Sequence, residues 1–279
     1  MNRHYQAIAL DMDGTVLNSH KEIDPPTRQA IHDALEAGKE VIFCTGRSYS
    51  EMEEILEDFP NMHYLCGESG ALLFDLVKKE PLACRCLSPE TFSALMDISR
   101  QRNLIPFYFS EGRDYIDRKD FPRLAEYGME VYIPMFSKVS NQLDDIYEES
   151  QSRRHRIEKL LLFHNSAESR AETMEQLQNA GVKAALILAE ESNIECSAPD
   201  VSKATGLSLL SKKTGIPMDE IIMVGDADND LAALQAVGLA VAMGNANDNV
   251  KAVSHAIVAD NDHNGCAEAI YRFLLGKSL

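Results

Sequence analysis

Five short apolar runs in this chain each stop in a cluster of polar residues, and that repeated ending constrains the fold more than any other feature. The runs are Ala7 to Leu10, Val41 to Cys44, Ile221 to Val224, Ala240 to Met243 and Ala256 to Ala259. A continuous apolar run without alternation predicts a strand buried on both faces. Helical stretches alternate with these runs, so the expected architecture is α/β: a doubly wound parallel sheet with helices on both faces. In such sheets the reactive groups gather beyond the carboxyl ends of the strands. One chemical rim is therefore expected, assembled from the polar clusters.

The first cluster is Asp11-Met12-Asp13-Gly14-Thr15. Residues two apart on an extended chain point the same way, so Asp11 and Asp13 can share one site before Gly14 turns the chain aside. Two carboxylates that close repel each other. A bound Mg²⁺ resolves the repulsion, because this hard cation takes oxygen ligands from one or two carboxylates and a substrate phosphate. With the cation in place, Asp11 is the candidate nucleophile toward phosphorus, giving an aspartyl phosphate. Asp13 is then the candidate acid for the departing alcohol and base for the incoming water. The plainer reading is an acidic surface turn. Against it, the four specified residues of D-x-D-G-T arise by chance in a chain of this size only on the order of once in several hundred.

Three further clusters add to the rim. Thr45 and Gly46, at the end of the second run, offer a hydroxyl and an unobstructed backbone N–H to a phosphate oxygen near the start of a new helix. Lys203 falls between the turn Pro199-Asp200 and the helical stretch Ala204 to Lys213, from which its ammonium can reach a phosphate at the sheet edge. Taken singly, a strand-to-helix turn and a solvated lysine explain both. Gly225-Asp226-Ala227-Asp228-Asn229-Asp230 is more specific, since dense carboxylates after a strand suit a divalent cation. Asp226 is the best third ligand, Asn229 a phosphate donor, and Asp230 a group that orients Lys203 or a metal-bound water. An Asp-rich turn capping the next helix is the competing explanation.

In order and spacing, D-M-D-G-T, T-G-R, the solitary Lys203 and G-D-x-x-N-D resemble the haloacid dehalogenase (HAD) superfamily of phosphatases. The long gap between the second and third motifs resembles its Cof-type, or type IIB, branch, as do G-N-A at Gly244 to Ala246, Val250-Lys251 and N-D-x-x-G at Asn261 to Gly265. The resemblance implies a HAD-like core with an inserted α/β cap. It implies Asp11 as nucleophile, Asp13 as acid and base, and Mg²⁺ held by Asp11, the Asp13 backbone carbonyl and Asp226. Phosphate would be bound by the Met12 N–H, Thr45, Gly46, Lys203 and Asn229. Two positions depart from the pattern. Ser69-Gly70-Ala71 stands where many members have Asn-Gly-Ala, and Lys203-Ala204 where they have Lys-Gly. The first bears on any substrate contact at position 69, the second on how the helix beside Lys203 begins.

The interval between Thr45 and Lys203 far exceeds one crossover connection. Residues 82–190 are expected to form the inserted cap, with 1–81 and 191–279 as the core. Ser88-Pro89-Glu90 opens a helix reaching about Arg102, while Ile105 to Phe109, Tyr115 to Arg118, Ile157 to Phe163 and Ala184 to Ala189 predict strands. Ala167 to Ala180 predicts a helix that leaves at Gly181. Phe107 and Phe109 are expected in the cap core, with Tyr108 on the other strand face as a substrate-facing candidate. Arg153-Arg154-His155-Arg156 reads as solvated surface rather than a second anion site. A cap serves this chemistry by excluding bulk water and completing the site, and specificity is expected on it.

Composition bounds the partners. With 44 acidic against 27 basic residues, a net charge of −17, the chain repels polyanions, and nucleic acid is not an expected partner. No apolar stretch suits a membrane span, the first strand begins too near Met1 for a signal peptide, and six scattered cysteines fit reduced thiols. These features point to a cytoplasmic enzyme acting on a small-molecule phosphate ester. A phosphomutase could use the same two aspartates. A non-catalytic metabolite or metal sensor on the same fold would be expected to lack one of them.

Overall fold

The central strands of the first sheet lie where burial on both faces demands apolar runs. In a computed structural model that describes residues 4–188 and 192–277, the strands are β1 (Ala7–Leu10), β2 (Glu40–Cys44), β3 (Tyr64–Gly67), β4 (Leu72–Asp75), β5 (Glu80–Cys84), β6 (Ile105–Ser110), β7 (Arg113–Asp117), β8 (Asn141–Leu143), β9 (Ile157–Phe163), β10 (Ala185–Leu188), β11 (Asn193–Ser197), β12 (Ile221–Gly225), β13 (Leu239–Ala242) and β14 (Ala256–Ile257). They form two sheets, ordered β14-β13-β12-β1-β2-β3-β4-β5 and β10-β11-β9-β6-β7-β8. The chain divides into two compact units: Met1–Arg47, Glu54–Ala83 and Ser202–Leu279 make the first, and Ser48–Glu53 with Cys84–Val201 the second.

The first sheet is centred on β1, which pairs in parallel with β2 and β12. All four residues of β1 are fully buried, and taking side chains such as Ile8 and Leu10 out of water stabilises by about 1.5–3 kcal/mol each. Leu10 stands level with Phe43 of β2 and Val224 of β12. The three strands consequently end together, and Asp11, Thr45 and Asp226 leave from one edge. The helix Pro25–Glu36 follows Asp24, has proline at its start, and is succeeded by Gly38 at φ 72°, the left-handed conformation that glycine adopts without strain.

The second sheet is mostly antiparallel, with β9 between β6 and β11. Phe107 and Phe109 bury with Phe136 and Phe163 on one face. Tyr108 buries on the other with Phe92 and Leu160. Tyr108 is fully buried, so it is a core residue and not the substrate-facing one proposed from alternation; both faces of β6 are covered. Arg154, His155 and Arg156 are exposed, as expected of solvated charge. The helix Pro89–Arg102 begins where Ser88 Oγ accepts the Thr91 N–H and ends at Asn103 with φ 54°.

The expected boundary between residues 190 and 191 lies outside the described residues, as does Ala189 at the end of the predicted strand. Residues 193–197, assigned from the sequence to the core, form β11 and pair with β9 and β10 in the second sheet. The β-hairpin of β3 and β4 was not read from the sequence, because its runs are interrupted by the Glu68-Ser69-Gly70 turn.

Candidate active site

Asp11 follows β1 directly and is buried, its backbone N–H donating to the Val224 carbonyl at 3.1 Å. Lys203 Nζ donates to Asp11 Oδ1 at 2.5 Å and to Asp230 Oδ1 at 2.6 Å, with the lysine side chain fully buried. Burial alone would lower Lys203, but the carboxylates of Asp11 and Asp230 outweigh it and hold the ammonium above its ordinary range. Burial pushes Asp11 upward, opposed by Lys203 and reinforced by Asp230 and Asp226. The second oxygen of Asp230 accepts the N–H groups of Asp226 and Ala227 at 3.0 and 3.2 Å. Both oxygens are thereby committed, and Asp230 orients Lys203 while closing the turn after β12.

Backbone geometry sets Lys203 in place. Ser202 Oγ accepts the Thr205 N–H at 3.2 Å and Thr205 Oγ1 accepts the Ser202 N–H at 2.9 Å, a reciprocal cap that starts the helix Lys203–Thr214. The helix therefore begins at Lys203 itself, one residue before the predicted stretch. It lies against Gly70, where an added Cβ would overlap the Ser202 carbonyl, and a Cβ on Gly206 would stand 2.8 Å from the Gly70 Cα. Gly70 also has φ +95°. Only glycine meets both requirements there. Ser69 sits beside it at φ 60°, its N–H donating to the Thr45 carbonyl at 2.9 Å.

Asp226 accepts a hydrogen bond from Thr15 Oγ1 at 2.9 Å. Burial raises its carboxyl above the ordinary range. One oxygen from each of Asp11, Asp226 and Asp230 falls within 4.8 Å of the others. Three carboxylates near a single lysine leave excess negative charge in a poorly solvated place, which a hard divalent cation with oxygen ligands would offset. Gly14 permits this closeness. At φ +79° it passes Asp226 so tightly that a Cβ would lie 2.5 Å from Oδ2.

The other predicted residues distribute around this centre. Asp13 is held by Arg47, whose Nε and Nη2 reach Oδ2 and Oδ1 at 3.0 and 2.9 Å, and by Lys21 Nζ at 2.8 Å. Burial would raise the Asp13 carboxyl, but Arg47 and Lys21 hold it below its ordinary value. Thr45 is buried, and its hydroxyl accepts the Arg47 N–H at 3.2 Å. Gly46 lies between them, partly exposed. Met12 is buried, and its carbonyl accepts from Thr15 and Leu17 at 3.2 and 2.9 Å. Asn229 is exposed in the turn Asp228–Asp230. Sequence reasoning quoted Arg47 and Thr15 within motifs but gave neither a task, and it missed Lys21 and Gly206. A separate cavity lined by His4, Gln6, Gly38, Lys39 and Glu220 lies at the opposite ends of the strands.

The family model for haloacid dehalogenase-like hydrolases matches residues 8–270. The 5-amino-6-(5-phospho-D-ribitylamino)uracil phosphatase YcsE of Bacillus subtilis is 26% identical over 96% of this chain and 95% of its own length. A haloacid dehalogenase-like hydrolase from Bacteroides thetaiotaomicron superposes with a TM-score of 0.83 at 24% identity, covering 96% of this chain and 99% of the other. The HAD subclass IIB sugar phosphatase BT4131 superposes at 0.78 with 19% identity, over 96% and 98%. Such structural likeness speaks for the fold.

Proposed function

This chain belongs to the haloacid dehalogenase-like hydrolases and is a phosphatase, and we propose that it hydrolyses small phosphorylated metabolites with Mg²⁺ through an aspartyl phosphate on Asp11. The observation that carries the reading is the buried Asp11 at the end of β1, paired to Lys203 and grouped with Asp226 and Asp230. Sugar phosphates and nucleotide-like or cofactor phosphates are the substrate classes. BT4131 is named as a sugar phosphatase, and YcsE as a phosphatase of 5-amino-6-(5-phospho-D-ribitylamino)uracil. The second unit supplies specificity as the cap.

In the first step an Asp11 oxygen bonds to phosphorus as the ester oxygen leaves on the opposite side. Lys203 faces the charge on the transferred group. Asp13 delivers the proton that the leaving alkoxide takes. In the second step Asp13 removes a proton from water as that water bonds to phosphorus, the Asp11–phosphorus bond breaks, and inorganic phosphate departs. With Arg47 and Lys21 beside it, Asp13 rests ionised, the state the second step uses. The negative phosphoryl group of a bound ester raises it toward the protonated state needed first. Thr45, the backbone N–H groups of Met12 and Gly46, and Asn229 bind the phosphate oxygens. Mg²⁺ would be held by Asp11, Asp226 and the Asp13 carbonyl, where it supplies charge neutralisation between phosphate and carboxylates. No helix among the described residues is long and apolar enough to cross a membrane, and we place the reaction in the cytoplasm.

Release of p-nitrophenol from p-nitrophenyl phosphate tests the assignment. Asp11→Asn is expected to remove turnover, and chelation by EDTA to remove it reversibly. Undiminished turnover in Asp11→Asn would overturn the reading.

A further inference from the structure

Two segments that the sequence sets apart, Gly244 to Ala246 and Asn261 to Gly265, have no task in the reaction. They follow β13 and β14, which extend the parallel order of β12 and so deliver their ends to the rim that carries Asp226. The two segments lie backbone to backbone. The Gly244 N–H donates to the Ala259 carbonyl at 3.1 Å, and a Cβ on Gly244 would stand 2.8 Å from the Asp260 nitrogen. Across the same seam Asn245 Oδ1 accepts the Asn261 N–H at 3.2 Å.

From this seam, asparagines reach the loops that carry the candidate metal ligands. Asn245 Nδ2 donates to the Gly14 carbonyl at 2.8 Å, and Asn261 Nδ2 to the Leu17 carbonyl at 2.9 Å. Because Oδ1 of Asn245 meets a backbone donor and Nδ2 a backbone acceptor, its amide has only one orientation. On the other side the Asn247 N–H donates to the Asp226 carbonyl at 3.1 Å, and its Nδ2 to Asp228 Oδ1 at 2.9 Å. One short segment therefore bonds to both loops. The loops also touch directly, with Gly14 against Asp226 Oδ2 and Thr15 Oγ1 donating to Asp226 Oδ1 at 2.9 Å.

We infer that Asn245 is a positioning residue for the divalent cation: it holds the Gly14 carbonyl from the segment that also holds the Asp226 carbonyl, and so sets the turn after Asp13 against the Asp226 carboxylate. The inference rests on the proposed Mg²⁺ site of Asp11, Asp226 and the Asp13 carbonyl. Asn245 is exposed, so water can take its place at the Gly14 carbonyl with little loss of stability. Water carries no tie to the Asp226 side, and the spacing of the two loops is what is lost.

Calorimetric titration of the EDTA-treated, dialysed protein with Mg²⁺ alone at pH 8 reads this spacing through Kd. Asn245→Ala removes the tie and is expected to weaken Mg²⁺ binding by about tenfold, the scale on which groups supporting a metal's ligands act. Asn245→Asp keeps an acceptor for the Asn261 N–H but presents only oxygen to the Gly14 carbonyl. Its added charge would by itself favour the cation, yet weakening by about tenfold is expected again. Asn245→His, neutral at this pH, presents Nδ1–H in the place of Nδ2 and is expected to stay within about threefold of wild type. Asp226→Asn is the benchmark. If it weakens Mg²⁺ binding while Asn245→Ala and Asn245→Asp do not, or while Asn245→His is as poor as Asn245→Ala, the positioning role is wrong and the metal reading stands. If Asp226→Asn binds Mg²⁺ as well as wild type, the metal reading falls and takes the inference with it. Asn245→Asp exchanges an amide nitrogen for an oxygen and nothing else, so it decides the question should Asn245→Ala fail to fold.

Discussion

Replacing Lys203 with methionine removes the one cation that lies between two buried carboxylates. The ammonium stands 2.5 Å from Asp11 and 2.6 Å from Asp230, and the three side chains are buried. Methionine fills nearly the same volume, so the loss is electrostatic. Breaking a buried ion pair by deleting one partner costs about 3–5 kcal/mol, because the charge left behind stays desolvated. The sign of the pH dependence follows from the pairing. Lys203 now pulls Asp11 down against burial; without it the folded-state Asp11 carboxyl moves further above the unfolded value near 4. A raised carboxyl contributes stability below its unfolded value and loses it as pH rises through the folded one. The deficit of Lys203→Met is accordingly expected to be level up to about pH 7, where wild-type Asp11 still holds its raised proton, and to grow from pH 7 to pH 9 by up to about 1.4 kcal/mol per pH unit. Urea unfolding in EDTA at the two pH values measures it. The double variant Lys203→Met with Asp230→Asn is expected to recover part of the loss. Its amide oxygen still accepts the Asp226 and Ala227 N–H groups while one charge disappears. A deficit that is flat or shrinks between those two pH values, or a double variant less stable than the single, would refute the reasoning.

Two other perturbations follow from the same geometry. Gly14→Ala places a Cβ at φ +79° against Asp226 Oδ2; it is expected to cost about 1–2 kcal/mol of stability. The Mg²⁺ concentration for half-maximal activity should rise by about tenfold or more, as displaced supporting groups do; a titration showing unaltered Mg²⁺ dependence would count against Asp226 as a ligand. Glu158 in β9 accepts the Glu111 N–H at 2.9 and 3.1 Å, and burial pushes its carboxyl up to about 7 from 4.5. Between those values the folded protein keeps a proton that the unfolded chain releases, so wild-type stability declines as pH rises across the window. Glu158→Gln removes this slope, worth about 3 kcal/mol over the window; melting curves of the two proteins at pH 4.5 and 7.5 that stay parallel would argue against the buried carboxyl.

Strands β1, β2 and β12 were legible because full burial leaves no choice of residue, and the polar groups that follow them were legible as a rim. β14 is shorter than its apolar run predicts, since it is the edge strand and Ile257 is half exposed. β11 escaped notice because Asn-Ile-Glu-Cys-Ser has little strand character, and its Glu195 is balanced by Lys159 from β9. The placing of Asp11 and Asp226 on one rim could be anticipated from strand ends, and that of Lys203 from the turn before its helix. The grip of Arg47 on Asp13 could not, because periodicity carries no information about which of two loops 34 residues apart a long side chain will reach. Tyr108 illustrates the same boundary: alternation separates two faces of a strand but does not say whether either is open.

The meeting of Gly70 and Gly206 has a mechanical consequence. Two main chains in contact leave no side chain between them to deform, so the helix that bears Lys203 is registered against the hairpin like a shaft in a fixed bearing. The ammonium is buried between two carboxylates, and its mounting has no slack in which to creep toward a differently shaped substrate. On the proposed reading, variation that retunes this protein for new esters must enter elsewhere, leaving the cationic anchor as the common datum from which every accepted phosphoryl group is measured.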